Sequence, residues 1–350
     1  MVAETRWLLP DGIDELLPEQ AGAVEHLRRA LLDECARWGY RYVIPPLVEF
    51  TDSLLVGLGA DLDTLTCTFA DRNSGRTLGV RADITPQVAR IDAHSLAESG
   101  VTRLCYAGST LHSASQTIGA GRSPIQLGAE LYGFPGIAAD IEVIDLMLVL
   151  LARAHSDTEQ ARVTLDIGHV GVYSALLENA DLDPAVSHAV FDALQRKSKP
   201  DLELVLEAMD KSAADNLRAL VDLHGGSEVL SAARAALGGV PDALAAIDEV
   251  EKVMSSVQHS HPGVSVYIDF AELRGFSYHT GVVFAAYLEG VGSAVAKGGR
   301  YDNIGAVFGR NRPATGFAFD LRALAVAAPG VAVKEEVIAA PPLDDTALVA

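Results

Sequence analysis

A chain of 350 residues exceeds the usual size of one hydrophobic core, which predicts two structural units, and 49% hydrophobic against 21% charged residues places it with globular proteins and not with disordered ones. A formal net charge of −20, with no dense Lys/Arg cluster to offset it, argues against a nucleic-acid partner, since such a surface repels phosphate backbones. Cys35, Cys67 and Cys105 lie far apart without a CxxC pair and read as reduced thiols; "MVAETRWLLPDG" has no signal-peptide core and no apolar run reaches membrane length, so the expectation is a soluble, cytoplasmic protein with no membrane partner.

In chain order, "AGAVEHLRRALLDECARWGY" predicts a helix with Val24, Leu27, Leu31, Cys35 and Trp38 on one face and Gly39 at its C-terminal cap. "YRYVIPPLVEF" is an extended apolar run broken by Pro45 and Pro46, hence an edge strand or a strand end. Residues 65–82 predict two strands joined by a turn at Asn73-Ser74-Gly75. A further strand pair is expected at 103–108 and 125–132, and "DIEVIDLMLVLLARAH" reads as a buried helix. From about residue 174 to 257 the chain is rich in Ala, Leu, Asp and Glu with helical periodicity and no strand-like alternation. Alternation returns in "VSVYIDF" (264–270) and "TGVVFAAYLEG" (280–290). The topology expected is one α+β unit over 1–173 and 262–325, interrupted by a helical insertion at 174–261 and followed by a loosely held tail at 326–350.

Several stretches carry candidate chemistry, each with a plainer alternative. "VRADITPQVAR" sets Asp83 and Thr85 two apart, the spacing of one strand face, but Asp-x-Thr before a proline also suits a helix N-cap. "PIQLGAELYG" puts Gln126 and Glu130 on one strand face with Gly128 between them, where a ligand or another backbone can come close; the alternative is a solvent-facing polar stripe. "RGFSYHTG" gathers Arg274, Tyr278 and His279, either a pocket edge or a turn whose arginine caps carbonyls. "AKGGRYDNIGAVFG" lacks the Gly-Lys-Ser/Thr ending of a phosphate loop. His259 and His261 form an HxH pair without a third ligand at suitable spacing, so no metal site is expected. His112 is open to either a structural or a pocket role.

Taken together, "GYRYVIPPLVEF", "RLCYAGSTLHSASQTIGAGRSPIQLGAELYG", "LRGFSYHTGVVF" and "KGGRYDNIGAVFGRNRPATGFAFDLRALA" resemble, in order, the dimer-forming first motif, the second motif, the histidine signature and the third motif of histidyl-tRNA synthetase. The resemblance covers roughly residues 6–170 and 262–325 and implies a class II synthetase core, an antiparallel sheet flanked by helices. It implies that Asp83, Thr85 and Gln126 face the α-amino group of L-histidine, that Glu130 with Tyr278 and His279 faces the imidazole, and that Arg274 with Gln126 faces the carboxylate, within reach of His112. A desolvated zwitterion needs such fixed partners of opposite sign.

The departures concern the nucleotide. Where the synthetases carry Arg-His-Glu-Arg in the second motif, this chain reads His112, Ala114 and Ser115 at the first Arg, the Glu and the second Arg; at the Glu-Arg that ends the third motif it has Arg322 and Ala323. Losing one preorganised charge of this kind costs about 10²–10³ in rate, so several losses remove adenylation. The pattern resembles the synthetase paralogues that serve as regulatory subunits of ATP phosphoribosyltransferase, at the first step of L-histidine biosynthesis. It implies a non-catalytic chain without cofactor, a homodimer through the class II core, partnered in a hetero-octamer by a short catalytic subunit and binding L-histidine for feedback inhibition. Two alternatives stay open: a truncated histidine-activating ligase that forms an adenylate, and a free-standing histidine-binding module.

Overall fold

The structure is a computed structural model and describes residues 7–55, 60–115, 121–155, 162–180, 182–207, 209–273, 275–276 and 278–327. The segment read as a tail lies outside them from residue 328 onward. Helix α1 (Pro18–Arg37) opens on a proline, whose missing N–H is no loss in a first turn. It buries Val24, Leu27, Leu31 and Cys35 along one stripe, and Gly39 follows its end at φ +82°, in the left-handed region that closes helices. Trp38, expected on the same stripe, is half-buried against the core.

The chain then leaves the two-residue edge strand β1 (Arg41–Tyr42), passes both prolines and enters β2 (Val48–Phe50). The short helices α2 (Thr51–Leu54) and α3 (Ala60–Leu65), which sequence reading did not expect, lead into the hairpin of β3 (Cys67–Ala70) and β4 (Thr77–Val80). Its turn lies where Asn73-Ser74-Gly75 predicts: the Asp71 carboxylate accepts from the N–H groups of Asn73 and Ser74, each at 3.1 Å, and Gly75 takes φ +72°. Strands β2, β4 and β3 form a small separate sheet. Helix α4 (Thr85–Arg90) runs into one π-helical turn at 91–96 before β5 (Thr102–Ser109), β6 (Ile125–Tyr132) and the buried helix α5 (Ile137–Ala154).

Next come β7 (Val163–His169) and helices α6 (Val170–Ala180), α7 (Pro184–Gln195), α8 (Lys199–Leu206) and α9 (Lys211–Leu220). A two-residue strand β8 (His224–Gly225) interrupts the stretch read as wholly helical, and α10 (Glu228–Leu237) and α11 (Pro241–Ser260) complete it. The chain finishes with β9 (Ser265–Asp269), β10 (Val282–Leu288), β11 (Ala296–Arg300), a 3₁₀ turn at 304–308, β12 (Ala314–Asp320) and α12 (Leu321–Ala327).

The main sheet has nine strands in the order β1-β5-β6-β12-β11-β10-β7-β9-β8. It is antiparallel through its middle, as expected; the pairs β1–β5 and β7–β9 are parallel, which local periodicity cannot reveal. The two-residue side-chain period sorts the residues of β5 and β6 between two apolar clusters. Cys105, Leu127, Ala129 and Leu131 face the large cluster shared with α1, α5 and the helices α6 to α11. Leu104, Tyr106 and Tyr132 face a smaller one with Ile84, Val88, Tyr301 and Ile304, and Glu130 is on that side. Among the described residues no helix is long and apolar enough to cross a membrane.

A buried ion pair joins the large cluster's helix to the sheet: Arg300 donates through Nε and Nη2 to Asp140 Oδ2 of α5 at 3.0 and 2.7 Å, with 7% and 0% of the two side chains exposed. Removing one partner strands a buried charge, at a cost of about 3–5 kcal/mol. Asp140→Ala is therefore expected to lower the unfolding free energy by about that amount in urea denaturation, and an unchanged midpoint would refute this reading of the pair.

Candidate functional site

Asp83 and Thr85 do not share a strand face. Thr85 opens α4 behind Ile84 at the N-cap position, and Asp83 Oδ1 accepts from the Thr85 N–H at 2.9 Å in a local turn just before the helix, so Asp83 is not the capping residue either. The same oxygen accepts from Gln126 Nε2 at 2.9 Å, while Gln126 Oε1 accepts from the Ile84 N–H at 2.8 Å. The amide of Gln126 is thereby oriented across the loop that carries Asp83, and strand β6 is pinned to the start of α4.

Four residues further along the same face, Glu130 is 1% exposed, so the stripe faces the interior and not solvent. Its Oε1 accepts from Thr85 Oγ1 and from the Tyr106 hydroxyl, each at 3.0 Å, and its Oε2 accepts a short hydrogen bond from the Tyr301 hydroxyl. Glycines make the room. Gly316 lies opposite Glu130 in the β6–β12 register, and a Cβ there would stand 1.5 Å from Glu130 Oε2. Gly128 lies opposite Tyr106, and its Cβ would stand 2.4 Å from the Tyr106 ring, so the close approach expected at Gly128 is made by a side chain. Burial pushes the Glu130 carboxyl up to about 8, against the three hydroxyl donors that hold it down.

The turn at 275–279 brings the aromatic residues to this cluster. Gly275 takes φ +70°, and its carbonyl accepts from the N–H groups of Tyr278 and His279, each at 2.8 Å. Tyr278 stacks on Tyr301 with ring centroids 5.1 Å apart, and His279 meets Tyr278 edge-on at 5.2 Å. Among the described residues the Tyr278 hydroxyl is buried with no hydrogen-bond partner. A buried donor in that state is unfavourable until something accepts from it. His279 Nδ1 lies 3.2 Å from the Arg300 carbonyl and must carry its proton to bond there, which leaves Nε2 as an acceptor. Burial pushes this imidazole down to about 4, so it is neutral at physiological pH.

Of the residues singled out in the sequence, Asp83, Thr85, Gln126, Glu130, Tyr278 and His279 thus converge, the last two by way of Tyr301. Arg274 lies outside the described residues. His112 stands behind the loop: its Nε2 is 3.0 Å from the Ala82 carbonyl, next to Asp83. Sequence reading missed Tyr106, Tyr301 and Gly316; the "TGF" and "GRY" triplets that carry the last two gave no periodic signal. On the side where the synthetase motifs place nucleotide groups, Arg122 donates to the carbonyls of His112 and Asp11, and Arg322 to those of Ser123 and Asp14. His261 pairs with Asp145 at 3.2 Å, and among the described residues no group of three or more His, Cys, Asp and Glu is placed to hold a metal ion.

The family model for histidyl-tRNA synthetase matches residues 12–324. An ATP phosphoribosyltransferase regulatory subunit from Marinobacter nauticus is 51% identical over 93% of this chain and 82% of its own length. Among solved structures, an ATP phosphoribosyltransferase regulatory subunit/histidyl-tRNA synthetase from Bacillus halodurans aligns with a TM-score of 0.81 at 29% identity, covering 92% of this chain and 83% of that one. A chain of an ATP phosphoribosyl transferase complex from Thermotoga maritima shares the fold, with a TM-score of 0.64 at 19% identity over 85% of this chain and 97% of that one.

The raised carboxyl of Glu130 has a consequence for stability. Unfolded, the group titrates near its ordinary 4.5; folded, at about 8. Between those values the folded chain keeps a proton that the unfolded chain has released. The contribution to stability is therefore complete below about 4.5 and is lost as pH rises through about 8. Urea denaturation across this window should show the Glu130→Gln variant losing less stability with rising pH than the unaltered chain; parallel pH profiles would refute the assignment.

Proposed function

The chain belongs to the histidyl-tRNA synthetase-like family of ATP phosphoribosyltransferase regulatory subunits, and on that premise we propose that it activates a short catalytic ATP phosphoribosyltransferase subunit and carries the L-histidine site through which the complex is inhibited. The observation that carries this reading is the pair of hydrogen bonds Asp83–Gln126 and Thr85–Glu130, made by two residues of one β6 face, beside a Tyr278 hydroxyl that has no partner among the described residues. L-Histidine would take its α-ammonium to Asp83, Thr85 and Gln126, its imidazole to Glu130, Tyr278 and His279, and its carboxylate to Arg274 and Gln126, with His112 at the carboxylate end. The pocket holds the amino acid and does not react with it. Arg122 and Arg322, both occupied by main-chain carbonyls, support the absence of a nucleotide clamp.

Assembly with the catalytic subunit is proposed as a hetero-octamer in the cytoplasm, in keeping with three unpaired thiols in an amino-acid biosynthesis protein. The homodimer within it would form about the "IPPLVEF" stretch, where Ile44 is 76% and Leu47 49% exposed beside edge strand β1. Sizing at micromolar concentration should give a dimer for the unaltered chain and a monomer for Ile44→Asp; a monomeric unaltered chain would overturn this part.

Calorimetry with L-histidine and inhibition assays on the co-expressed complex test the function. Gln126→Ala removes a partner from desolvated ligand groups, so affinity should fall by roughly 1–3 kcal/mol, or about 5- to 150-fold. Glu130→Gln should weaken the preference for histidine over other amino acids, and both variants should leave the complex active but less sensitive to histidine. Unchanged affinity in both would place the regulatory ligand elsewhere. Histidine-dependent exchange of pyrophosphate into ATP, clearly above background, would favour the adenylate-forming ligase instead.

A further inference from the structure

The turn that carries Tyr278 and His279 belongs to the connection between β9 and β10, the two strands that flank β7 in the main sheet. That connection crosses the end of β7, where α6 begins, and the Val170 N–H at the head of α6 donates to the Gly281 carbonyl at 3.1 Å. Two further contacts tie it to the helices. Phe276 meets Tyr173 of α6 edge-on with ring centroids 5.0 Å apart, and its ring lies 5.8 Å from that of Phe191 on α7. The two helices are themselves joined at this point, because the Tyr173 hydroxyl donates to the Ser187 carbonyl at 3.1 Å. Two residues on from Phe276, Tyr278 stacks instead on Tyr301, next to Glu130.

The second contact comes from the corner between α7 and α8. The Lys197 N–H donates to the Leu194 carbonyl and the Ser198 N–H to the Ala193 carbonyl, each at 2.9 Å, while Lys197 takes φ +50°. These are the two closing bonds of a helix end whose left-handed residue is ordinarily glycine, so a lysine there is strained. Its ammonium reaches 72 residues along the chain and donates to Asp269 Oδ2 at 2.5 Å. Asp269 is buried at the end of β9, where its Oδ1 accepts from the Ala271 N–H at 3.0 Å and its carbonyl from the Glu272 N–H at 3.3 Å. We propose that α6 and α7 position the aromatic side of the pocket: Lys197 holds Asp269 at the start of the connection, Phe191 and Tyr173 hold Phe276, and together they fix the turn from which Tyr278 and His279 act. The effect on L-histidine rests on the reading of the pocket given above. A turn closed by two bonds to one carbonyl has little rigidity of its own and takes it from what it packs against.

Hydrogen exchange, followed by mass spectrometry on the full chain without ligand, tests the positioning. Lys197→Gly removes the ammonium but suits the left-handed corner, so residues 192–200 should keep their protection while exchange over 275–282 rises about ten-fold. Phe191→Leu should raise it likewise, and Lys197→Arg, which keeps a cation facing Asp269, should leave it at the unaltered rate. Calorimetry should then show histidine affinity about ten-fold lower in Lys197→Gly and Phe191→Leu and recovered in Lys197→Arg. Three results would each overturn the proposal: exchange over 275–282 unchanged in both loosening variants, loosening spread evenly over the chain, or histidine affinity untouched by a loosened turn. An unaltered chain that binds no histidine would overturn the reading of the pocket instead, and the exchange result, which needs no ligand, would still decide the positioning.

Discussion

A buried carboxyl group within the sheet's smaller cluster constrains everything around it. Glu130 is almost wholly buried, and an ionisable group in that position is tolerated only where donors reach it. Those donors come from three distant parts of the chain: Thr85 at the head of α4, Tyr106 on β5, and Tyr301 just past β11. Each had to be brought within hydrogen-bond reach, and the strands had to be thin where they meet. The pairing of Glu130 with Gly316 and of Tyr106 with Gly128 answers that need, because any side chain at either glycine would occupy the space of the group opposite. One polar residue thus ties helix α4, the centre of the sheet and the third-motif segment into a single rigid set.

That dependence explains what could be read from the sequence and what could not. The hairpin at 67–80 was legible because its turn chemistry is local: Asp71, Ser74 and Gly75 carry it within five residues. The buried helix at 137–154 was legible because it is apolar nearly all round. Gln126 and Glu130 could be placed on one face by the period of two alone. Tyr106 and Tyr301 could not be found this way, since their role exists only in the register between strands 24 and 171 residues apart in sequence from Glu130. The parallel pairing of β1 with β5 failed for the same reason, and the two-residue β8 is too short to alternate. At Asp83 two local rules competed, and the proline after Thr85 decided for the helix.

The same logic bears on the side of the site where a synthetase would hold nucleotide. Family membership rests on the whole of residues 12–324. Around Glu130 and Gln126 the polar groups are held by one another at 2.8–3.0 Å, a preorganised set that keeps its geometry without a ligand. Across the fold, Arg122 and Arg322 serve as clasps on the N-terminal segment, their guanidinium groups engaged by the carbonyls of Asp11, His112, Asp14 and Ser123. The donors spent on these carbonyls are Nε and Nη1 of Arg122 and Nη1 of Arg322, and a phosphate gripped through them would have to displace those bonds. Charge stabilisation in catalysis depends on donors already aimed at the reacting group, so arginines committed to the main chain offer a nucleotide attraction without alignment. The two sets of groups are therefore separable: one is fixed by its own hydrogen bonds around Glu130 and Gln126, while the arginines of the other are tied to the N-terminal segment.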